Sequence, residues 1–507
     1  MKKSRVTLYV ILGFLILSVW NGMRWVSGNF GDISFTLLLF NLLAPKDGMD
    51  YTVVRGVIMS FFVYPLLATS ILVGAYVWLN TYVFSRYQWN IFMVKSNKHI
   101  VWKYKDSKWY AWILAVILVV ELWVSASSLG AIDYIQNRTN ASTLYEDHYA
   151  SPEEMDFVFP EQKKNLIYIT LESVENTYSS PDVGGVKPVN VIPNLTKLYE
   201  ENTNFSTGEN MKGFYPALGT EWTVASLTSQ FLGVPLTLPI GQNDYTLDQF
   251  LPGTYGLGDV LDEAGYNQSV IIGSDSGFGG RDMLYKGHGM DNVMDYPRAL
   301  EEGLIPEGYE VFWGFEDAKL FEMCKEEITR LAEEEAPFLL STLTVDTHFE
   351  DGYICQDCTE SFGDQYSNAI SCSDSKVYEF VQWIQEQDFY EDTVIVIAGD
   401  HFTMDSDYLD GLPEGYDRTV YYTIINPDDG GAAEAEVQEL DRNYATFDLY
   451  PTTLASMGIT WGQDRLALGT NLYGKTPTLI EEMGLDELNH QIERYSKYYN
   501  GKLLYGE

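Results

Sequence analysis

The stretch NLIYITL, residues Asn165–Leu171, is a short run of apolar and β-branched side chains, and Glu172 follows it directly. A run of this length and composition is typical of a strand that is buried on both faces of a parallel sheet. Four similar runs lie downstream, each bounded by polar or glycine-containing turns: Gln268–Ile272, Pro337–Val345, Thr393–Ala398 and Tyr421–Ile425. We interpret all five runs as buried parallel strands.

Helix-like stretches alternate with these runs, among them Asp317–Glu335 and Lys376–Gln387. This alternation predicts an α/β fold with a mainly parallel central sheet. Ligands of such sheets bind beyond the carboxyl ends of the strands. Three polar groups follow predicted strands in this way, so we expect them to share one rim of the sheet: Glu172, His348, and Asp400 with His401.

Glu172, Asp400 and His401 offer two carboxylates and an imidazole. These hard oxygen and nitrogen donors suit a divalent cation such as Mn²⁺, Zn²⁺ or Mg²⁺. Thr220 follows Gly219 and precedes a predicted helix over 221–232, where a helix N-terminus favours anions. A metal can make such a hydroxyl nucleophilic, although a threonine before a helix is far more often a cap. Only the combination of these residues predicts a catalytic site.

Three segments near the N-terminus have the length and apolarity of membrane-spanning helices: Val6–Val26, Val53–Leu79 and Trp109–Gly130. No cleavage motif of a signal peptide follows the first segment, so we expect it to be retained. The loop between the second and third segments carries six basic residues and one acid, Asp106: Arg86, Lys95, Lys98, Lys103, Lys105 and Lys108. The positive-inside rule places this loop in the cytoplasm, and everything after about residue 131 outside it.

Two features of the N-terminal part leave alternatives open. The apolar stretch Ile33–Leu43 is too short for a fourth span, so we expect an interfacial or re-entrant helix. Glu121 lies inside the third span, where an ionised carboxylate is costly. It either faces a partner or a wet cavity, or is protonated or paired within the bundle, for example with Asn21.

The charge distribution divides the chain. Residues 1–150 carry 13 basic and 8 acidic side chains, and residues 151–507 carry 19 and 64. The net charge of −40 argues against nucleic-acid binding through a basic face. We predict a membrane domain over 1–130, a linker over 131–160, an extracytoplasmic catalytic domain over 161–485 and a C-terminal tail over 486–507.

All four cysteines lie in the part predicted to be exported: Cys324, Cys355, Cys358 and Cys372. An oxidising compartment favours disulfides, and the single Cys355-x-x-Cys358 pair is only a weak zinc signature. We therefore expect this pair to provide a disulfide to Cys372, with Cys324 free.

Four motifs occur in order along the chain: LES at 171–173, GTEWT at 219–223, VDTH at 345–348 and GDH at 399–401. With the predicted topology, residues 165–475 resemble lipoteichoic acid synthases and membrane phosphoglycerol transferases, which belong to the alkaline phosphatase and sulfatase superfamily. The sequences GTEWT and VDTHFEDG resemble the transferases that decorate periplasmic glucans more than they resemble the polymerising synthases. Where the polymerising synthases carry a histidine and a tryptophan, this chain has Ile272 and Gly279.

The resemblance implies one metal ion, typically Mn²⁺ or Mg²⁺, held by Glu172, Thr220, Asp400 and His401. It implies that Thr220 carries a covalent glycerophosphate taken from phosphatidylglycerol. His348 and Arg281 would contact the substrate, and His348 would also assist proton transfer. The acceptor would be an envelope glycan, a glycolipid or a glycerophosphate polymer such as teichoic acid. The expected location is the bacterial inner membrane.

Two rival functions are compatible with these residues. A phosphoethanolamine transferase or related phosphodiesterase would use a similar threonine and metal with another head group. A catalytically inactive envelope-binding domain would bind a metal without turnover. Sulfatase activity is disfavoured because no cysteine that could become formylglycine lies near Thr220. His288 is either a substrate contact or a loop residue.

Overall fold

The structure is a computed structural model. It describes residues 3–30, 51–84, 88–93, 98–103, 109–206, 208, 210–237, 250–405, 407–428 and 441–507. The segment Ile33–Leu43, predicted to form an interfacial helix, lies outside these ranges. The chain divides into two compact units, of which the first ends at Asp133 and the second contains Tyr134–Glu507.

The first unit is mainly helical. Three helical segments are long and apolar enough to cross a membrane: Ser4–Asn29, Val54–Val83 and Tyr110–Ser128. They overlap the three predicted spans, and many of their large apolar side chains are exposed, as expected for helices surrounded by lipid. The helices are α1 (Lys3–Phe30), α2 (Tyr51–Ile58), α3 (Tyr64–Leu79) and α4 (Trp109–Ser128), with π-helical turns at Met59–Val63 and Asn80–Phe84.

Two short strands lie between α3 and α4, in the region predicted to be a cytoplasmic loop. Strands β1 (Gln88–Met93) and β2 (Lys98–Lys103) pair in antiparallel register, with Gln88 opposite Lys103. The sequence analysis did not predict this hairpin.

The second unit is built on a six-stranded sheet whose order is β5-β4-β6-β3-β7-β8. Its strands are β3 (Asn165–Leu171), β4 (Asn267–Ile272), β5 (Asn292–Met294), β6 (Phe338–Leu343), β7 (Thr393–Gly399) and β8 (Tyr422–Ile425). A two-stranded ribbon of β9 (Arg465–Leu466) and β10 (Gly469–Thr470) accompanies it. The mainly parallel sheet confirms the predicted fold class.

The prediction that the last strand is parallel is wrong, because β8 pairs with β7 in antiparallel register. A parallel neighbour requires a crossover, usually through a helix. The described residues between Gly399 and Tyr422 contain no helix, so the chain turns back beside β7. The short edge strand β5 was not predicted.

The helices after α4 are α5 (Ala131–Arg138), α6 (Leu144–His148), α7 (Pro193–Glu201), α8 (Thr223–Leu232), α9 (Leu257–Glu263), α10 (Arg281–Gly287), α11 (Tyr296–Glu301), α12 (Asp317–Ala332), α13 (Gln365–Gln385), α14 (Leu449–Ser456), α15 (Leu479–Met483) and α16 (Leu485–Glu493). Of these, α8, α12 and α13 pack on the faces of the sheet. The segments predicted as linker and tail thus contain helices, and Tyr145 and Tyr499 are buried.

Strand β3 shows how this layering follows from side-chain alternation. Ile167 and Ile169 belong to the core that also contains Leu320 of α12 and Phe380 of α13. Tyr168, between them in sequence, packs against Phe231 of α8 with 5.0 Å between ring centroids. Adjacent residues of one strand therefore anchor helices on opposite faces.

The cysteine prediction agrees with the structure. Cys358, in the loop before α13, forms a disulfide with Cys372 on that helix. Cys324 and Cys355 are free and buried. The bridge holds the loop that follows β6 against α13.

Candidate active site

Two neighbouring strands of the sheet bring the acidic residues of the site together. Strands β3 and β7 are parallel neighbours with Leu171 opposite Gly399. Glu172 and Asp400, the next residues, therefore leave the sheet side by side, and the Asp400 amide donates to the Leu171 carbonyl at 3.0 Å. Both side chains are buried.

Glu172, Asp400 and His401 form a compact group of potential metal ligands. One ligand atom from each residue lies within 4.8 Å of the others. The set of two carboxylates and one imidazole is compatible with a divalent cation. The structure thus brings together three of the four residues predicted to bind a metal.

The two oxygens of Asp400 have different environments. Oδ1 accepts hydrogen bonds from the amides of Ser173 and His401, both at 2.7 Å. Oδ2 is buried and has no hydrogen-bond partner among the described residues. An unpaired buried carboxylate oxygen is costly, and a cation bound between Asp400 and Glu172 would satisfy it. The residues present therefore fit a metal.

The hydrogen bonds of His401 determine its tautomer. Its Nδ1 lies 2.8 Å from the carbonyl of Phe402, which can only accept, so Nδ1 carries the proton. Its Nε2 lies 3.3 Å from Asp400 Oδ2 and 3.6 Å from Glu172 Oε1. When the ring is neutral, as metal binding requires, it offers an Nε2 lone pair to the metal, with the carbonyl of Phe402 holding the ring in place.

The crowding of charged groups shifts the pKa values of this cluster. Burial, reinforced by the charge of Glu172, raises the pKa of Asp400 to about 7. Burial also acts to raise the pKa of Glu172, but the positive charges that His401 and His348 carry when protonated outweigh it and hold this pKa below its usual value. Two buried carboxylates side by side are a typical environment for a cation.

Thr223, and not Thr220, lies beside this cluster. Thr223 Oγ1 is 3.3 Å from Glu172 Oε2 and 3.3 Å from His401 Nε2. Thr220 Oγ1 donates instead to the Ala217 carbonyl at 2.8 Å and contacts Thr446 Oγ1 at 3.0 Å. The prediction that Thr220 joins the metal ligands is therefore not supported by the geometry.

The start of α8 explains this difference. The sequence analysis placed the helix start at Glu221, whereas α8 begins at Thr223 after the extended residue Trp222. Further along this helix, Ser226 donates to the Asp400 carbonyl at 2.5 Å and Gln230 to the Gly399 carbonyl at 3.0 Å. Residues three and seven positions after Thr223 thus fix the same helix face to the end of β7.

Arg281 is buried at the start of α10. Its Nη2 donates to the Asp275 carbonyl at 2.5 Å and its Nε to the Phe278 carbonyl at 3.2 Å. Its charge contributes to lowering the pKa of Glu172, so the guanidinium lies within electrostatic reach of the cluster. This position is compatible with the predicted contact to a phosphate.

His348 is also brought to the site. Its Nδ1 lies 2.6 Å from the Phe349 carbonyl and therefore carries the proton, which leaves Nε2 as an acceptor. Burial lowers the pKa of His348, against the opposing charge of Glu172. A neutral imidazole with a free Nε2 can accept a proton from a hydroxyl group.

Trp313 is a site residue that the sequence analysis missed. Its ring lies on the imidazole of His348, with 3.7 Å between centroids and 31° between planes. Gly314 forms a bridge with Ser274 just after β4, and the Phe315 amide donates to the Gly273 carbonyl at 2.9 Å. A sequence signal for this residue was Gly314, directly after Trp313, because a glycine allows the backbone to approach a neighbouring segment closely.

His288 does not contact the site. Its Nδ1 lies 2.9 Å from Asp259 Oδ2 and its Nε2 lies 2.8 Å from the Phe250 carbonyl. The side chain is buried, and its two ring nitrogens link Asp259 of α9 to Phe250, which precedes that helix. His288 is therefore structural.

Two curated relatives are similar to this chain in sequence. Phosphoglycerol transferase I from Salmonella choleraesuis (strain SC-B67) is 31% identical over 319 residues, which are 62% of this chain and 39% of that protein. The enzyme of the same name from Escherichia coli O6:K15:H31 (strain 536 / UPEC) is 30% identical over 342 residues, 66% of this chain and 42% of that protein. The chain thus spans about two fifths of the length of these relatives.

A solved structure shows a similar fold. It is the integral membrane protein lipooligosaccharide phosphoethanolamine transferase A (EptA) from Neisseria meningitidis, with a TM-score of 0.50 and 14% identity. The match covers 90% of this chain and 85% of that one. The family model for the sulfatase domain matches residues 164–459, more than half of the chain. The chain therefore belongs to the sulfatase family of the alkaline phosphatase superfamily.

Proposed function

We propose that this protein is a metal-dependent phosphoglycerol transferase that moves glycerophosphate from phosphatidylglycerol to a cell-envelope acceptor. The observation that carries the proposal is the placement of Thr223 Oγ1 at 3.3 Å from both Glu172 Oε2 and His401 Nε2. A half-buried hydroxyl beside a buried ligand cluster is the arrangement that covalent phosphoryl transfer requires. The similarity to the transferases supports this donor.

Glu172, Asp400 and His401 would hold the cation, for which Mn²⁺ is our preference and Mg²⁺ or Zn²⁺ are alternatives. A bound divalent cation supplies Lewis acidity that lowers the pKa of a nearby hydroxyl and polarises a phosphodiester oxygen. Thr223 would then take the nucleophilic role that the sequence analysis assigned to Thr220.

The reaction proceeds in two halves. In the first, Thr223 Oγ1 bonds to phosphorus, the bond to the diacylglycerol oxygen breaks, and the threonine proton ends on that oxygen. In the second, the acceptor hydroxyl bonds to phosphorus, the bond to Thr223 breaks, and the acceptor proton returns to Thr223. His348 Nε2 would carry these protons, and Arg281 would offset the phosphate charge.

The N-terminus of α8 is suited to bind a phosphate group beside Thr223. Thr223 is the first residue of a ten-residue helix, so the free amides of the first turn lie beside its hydroxyl. Helix N-termini favour anions through these amides and the helix dipole. The nucleophile and an anion-stabilising element are therefore supplied by the same residues.

The proposed location is the bacterial inner membrane, with three crossings and the second unit outside the cytoplasm. The three apolar helices, the basic loop after the second of them and the disulfide Cys358–Cys372 support this orientation. A membrane tether keeps the site close to a lipid donor. The acceptor class is a glycan, a glycolipid or a glycerophosphate polymer.

The test supplies the purified full-length protein and Mn²⁺ with phosphatidylglycerol or phosphatidylethanolamine and measures released diacylglycerol. We expect release from phosphatidylglycerol and, without acceptor, a glycerophosphate adduct on the peptide that contains Thr223. Release only from phosphatidylethanolamine would identify the protein as a phosphoethanolamine transferase. Metal binding without release from either lipid would identify an inactive binding domain.

A further inference from the structure

The first unit contains an open cavity of about 570 Å³ between α1 and α4, and several of its lining side chains, such as Trp20 and Val116, are exposed. Trp20, Arg24 and Ser27 line it from α1, and Val120, Glu121 and Ser125 line it from α4. Both helices belong to the segments apolar enough to cross a membrane. A charged side chain inside a membrane-spanning segment is costly and usually has a functional partner.

The lining of the cavity is mainly apolar, and its polar side chains lie towards one end. Tyr76 of α3 contacts both Tyr9, early in α1, and Tyr110, at the start of α4, with ring centroids 5.7 and 6.4 Å apart. The N-terminal ends of α1 and α4 therefore lie together, and the two helices run in the same direction. Apolar lining residues such as Trp20 and Val116 lie towards the middle of the helices, and Ser27 and Ser128 lie towards their C-terminal ends.

This polarity matches that of a lipid. In the proposed topology, the C-terminal ends of α1 and α4 face the outer surface of the membrane. A lipid of the outer leaflet has its head group at that level and its acyl chains deeper, as the lining of the cavity requires.

The polar residues indicate the kind of head group. Arg24 provides a guanidinium, which is suited to a phosphodiester. Glu121 Oε2 is buried and has no hydrogen-bond partner among the described residues. The serine hydroxyls beside it can donate to and accept from the hydroxyls of a glycerol head group.

We propose that this cavity, lined by α1 and α4, binds an anionic glycerophospholipid with a hydroxylated head group, namely phosphatidylglycerol. Arg24 would bind its phosphate and Glu121 would accept from its glycerol hydroxyls. The identity of the lipid rests on the proposed function, because phosphatidylglycerol is the proposed donor. The cavity would hold this lipid beside the protein before it reaches the catalytic site.

The experiment uses the full-length Thr223→Ala variant, which cannot consume the lipid, in phosphatidylcholine vesicles that contain phosphatidylglycerol with a photoactivatable acyl chain. We expect cross-links on peptides around Trp20 and Val120, and competition by unlabelled phosphatidylglycerol but not by phosphatidylethanolamine. Arg24→Gln should lower labelling roughly tenfold, as expected for loss of one charge-assisted hydrogen bond. Arg55→Gln is the matched control, because Arg55 is exposed on α2 and does not line the cavity.

Labelling spread evenly over the three apolar helices, equal labelling of the Arg24→Gln variant, or equal competition by phosphatidylethanolamine would overturn the proposal. Binding in this assay does not require turnover. If phosphatidylglycerol labels the cavity but the wild-type protein releases no diacylglycerol from it, the proposed function fails and the lipid site stands. If the wild-type protein releases diacylglycerol but the cavity is not labelled selectively, the lipid site fails and the proposed function stands.

Discussion

The hydroxyl of Thr223 lies 3.3 Å from His401 Nε2, at the point where α8 begins beside the end of β7. The Thr220 hydroxyl, three residues earlier, is fully buried and donates a hydrogen bond to the Ala217 carbonyl. The motif GTEWT therefore offers two threonines, and the structure assigns them different environments. The predictions below separate their roles and those of the neighbouring residues.

Thr223→Ala should abolish diacylglycerol release, by roughly three orders of magnitude or more, because a covalent route loses its nucleophile. Thr220→Ala should retain most of the activity and lose about 1 kcal/mol of stability, since its contact with Thr446 is removed. Turnover and thermal unfolding of both variants provide the comparison. Normal turnover by Thr223→Ala, with loss in Thr220→Ala, would restore the original assignment.

Asp400→Asn should weaken metal binding at least about tenfold while keeping the fold. The asparagine Oδ1 can still accept from the amides of Ser173 and His401, and its NH₂ replaces the unpaired Oδ2. Removing a buried charge should make the metal-free variant more stable than the metal-free wild type at pH 8. Metal content by mass spectrometry and melting curves with and without chelator measure both effects. A less stable metal-free variant would contradict this reasoning.

Asp317 lies behind the site, where burial raises its pKa to about 6. Because the folded protein keeps its proton longer than the unfolded chain, this group stabilises the fold at low pH. The contribution falls by up to about 1.4 kcal/mol per pH unit as the pH rises from about 4 to 6. Asp317→Asn removes this dependence of stability on pH. The asparagine side chain can still accept a hydrogen bond from the Val345 amide and donate one to Ser373 Oγ.

The check for Asp317 is the difference in unfolding free energy between variant and wild type, measured from pH 4 to pH 8. We expect the variant to gain relative stability up to about pH 6 and no further above it, because Asp317 is then ionised in both states. A difference that does not change with pH would show that Asp317 titrates normally.

Trp313→Ala should lower kcat by about tenfold or more with a smaller change in KM, because the indole holds the His348 ring in position. Trp313→Phe should restore most of the rate, since another aromatic ring can cover the imidazole. The pH profile of kcat should shift in the alanine variant, which a purely structural role would not cause. Equal kcat values for all three proteins would exclude this positioning role.

Replacing both Cys358 and Cys372 by serine should cost about 3 kcal/mol of stability, as expected for a loop of about 15 residues. Denaturant unfolding with and without reductant measures the effect. Reductant should destabilise the wild type and leave the double variant unchanged. Equal midpoints for the oxidised wild type and the double variant would show that the bridge adds no stability.

Local sequence patterns were sufficient for the core of the fold. The predicted bounds of β3 agree with the structure, and those of β4, β6 and β7 differ from it by at most two residues. These strands are continuous apolar runs because both of their faces are buried. The direction of β8 was not predictable in this way, because an apolar run has the same composition whether its neighbour is parallel or antiparallel.

The sequence by itself determined the apolar helices of the first unit, the buried strands and the carboxylates and histidines that follow them. Hydrophobic length and polar residues at strand ends are local properties, so they can be recognised without coordinates. Only the tertiary structure decided that Thr223 and not Thr220 faces the ligand cluster, and that Trp313 covers His348. Both depend on where a helix begins or a distant loop docks, and these are set by contacts between residues far apart in the chain.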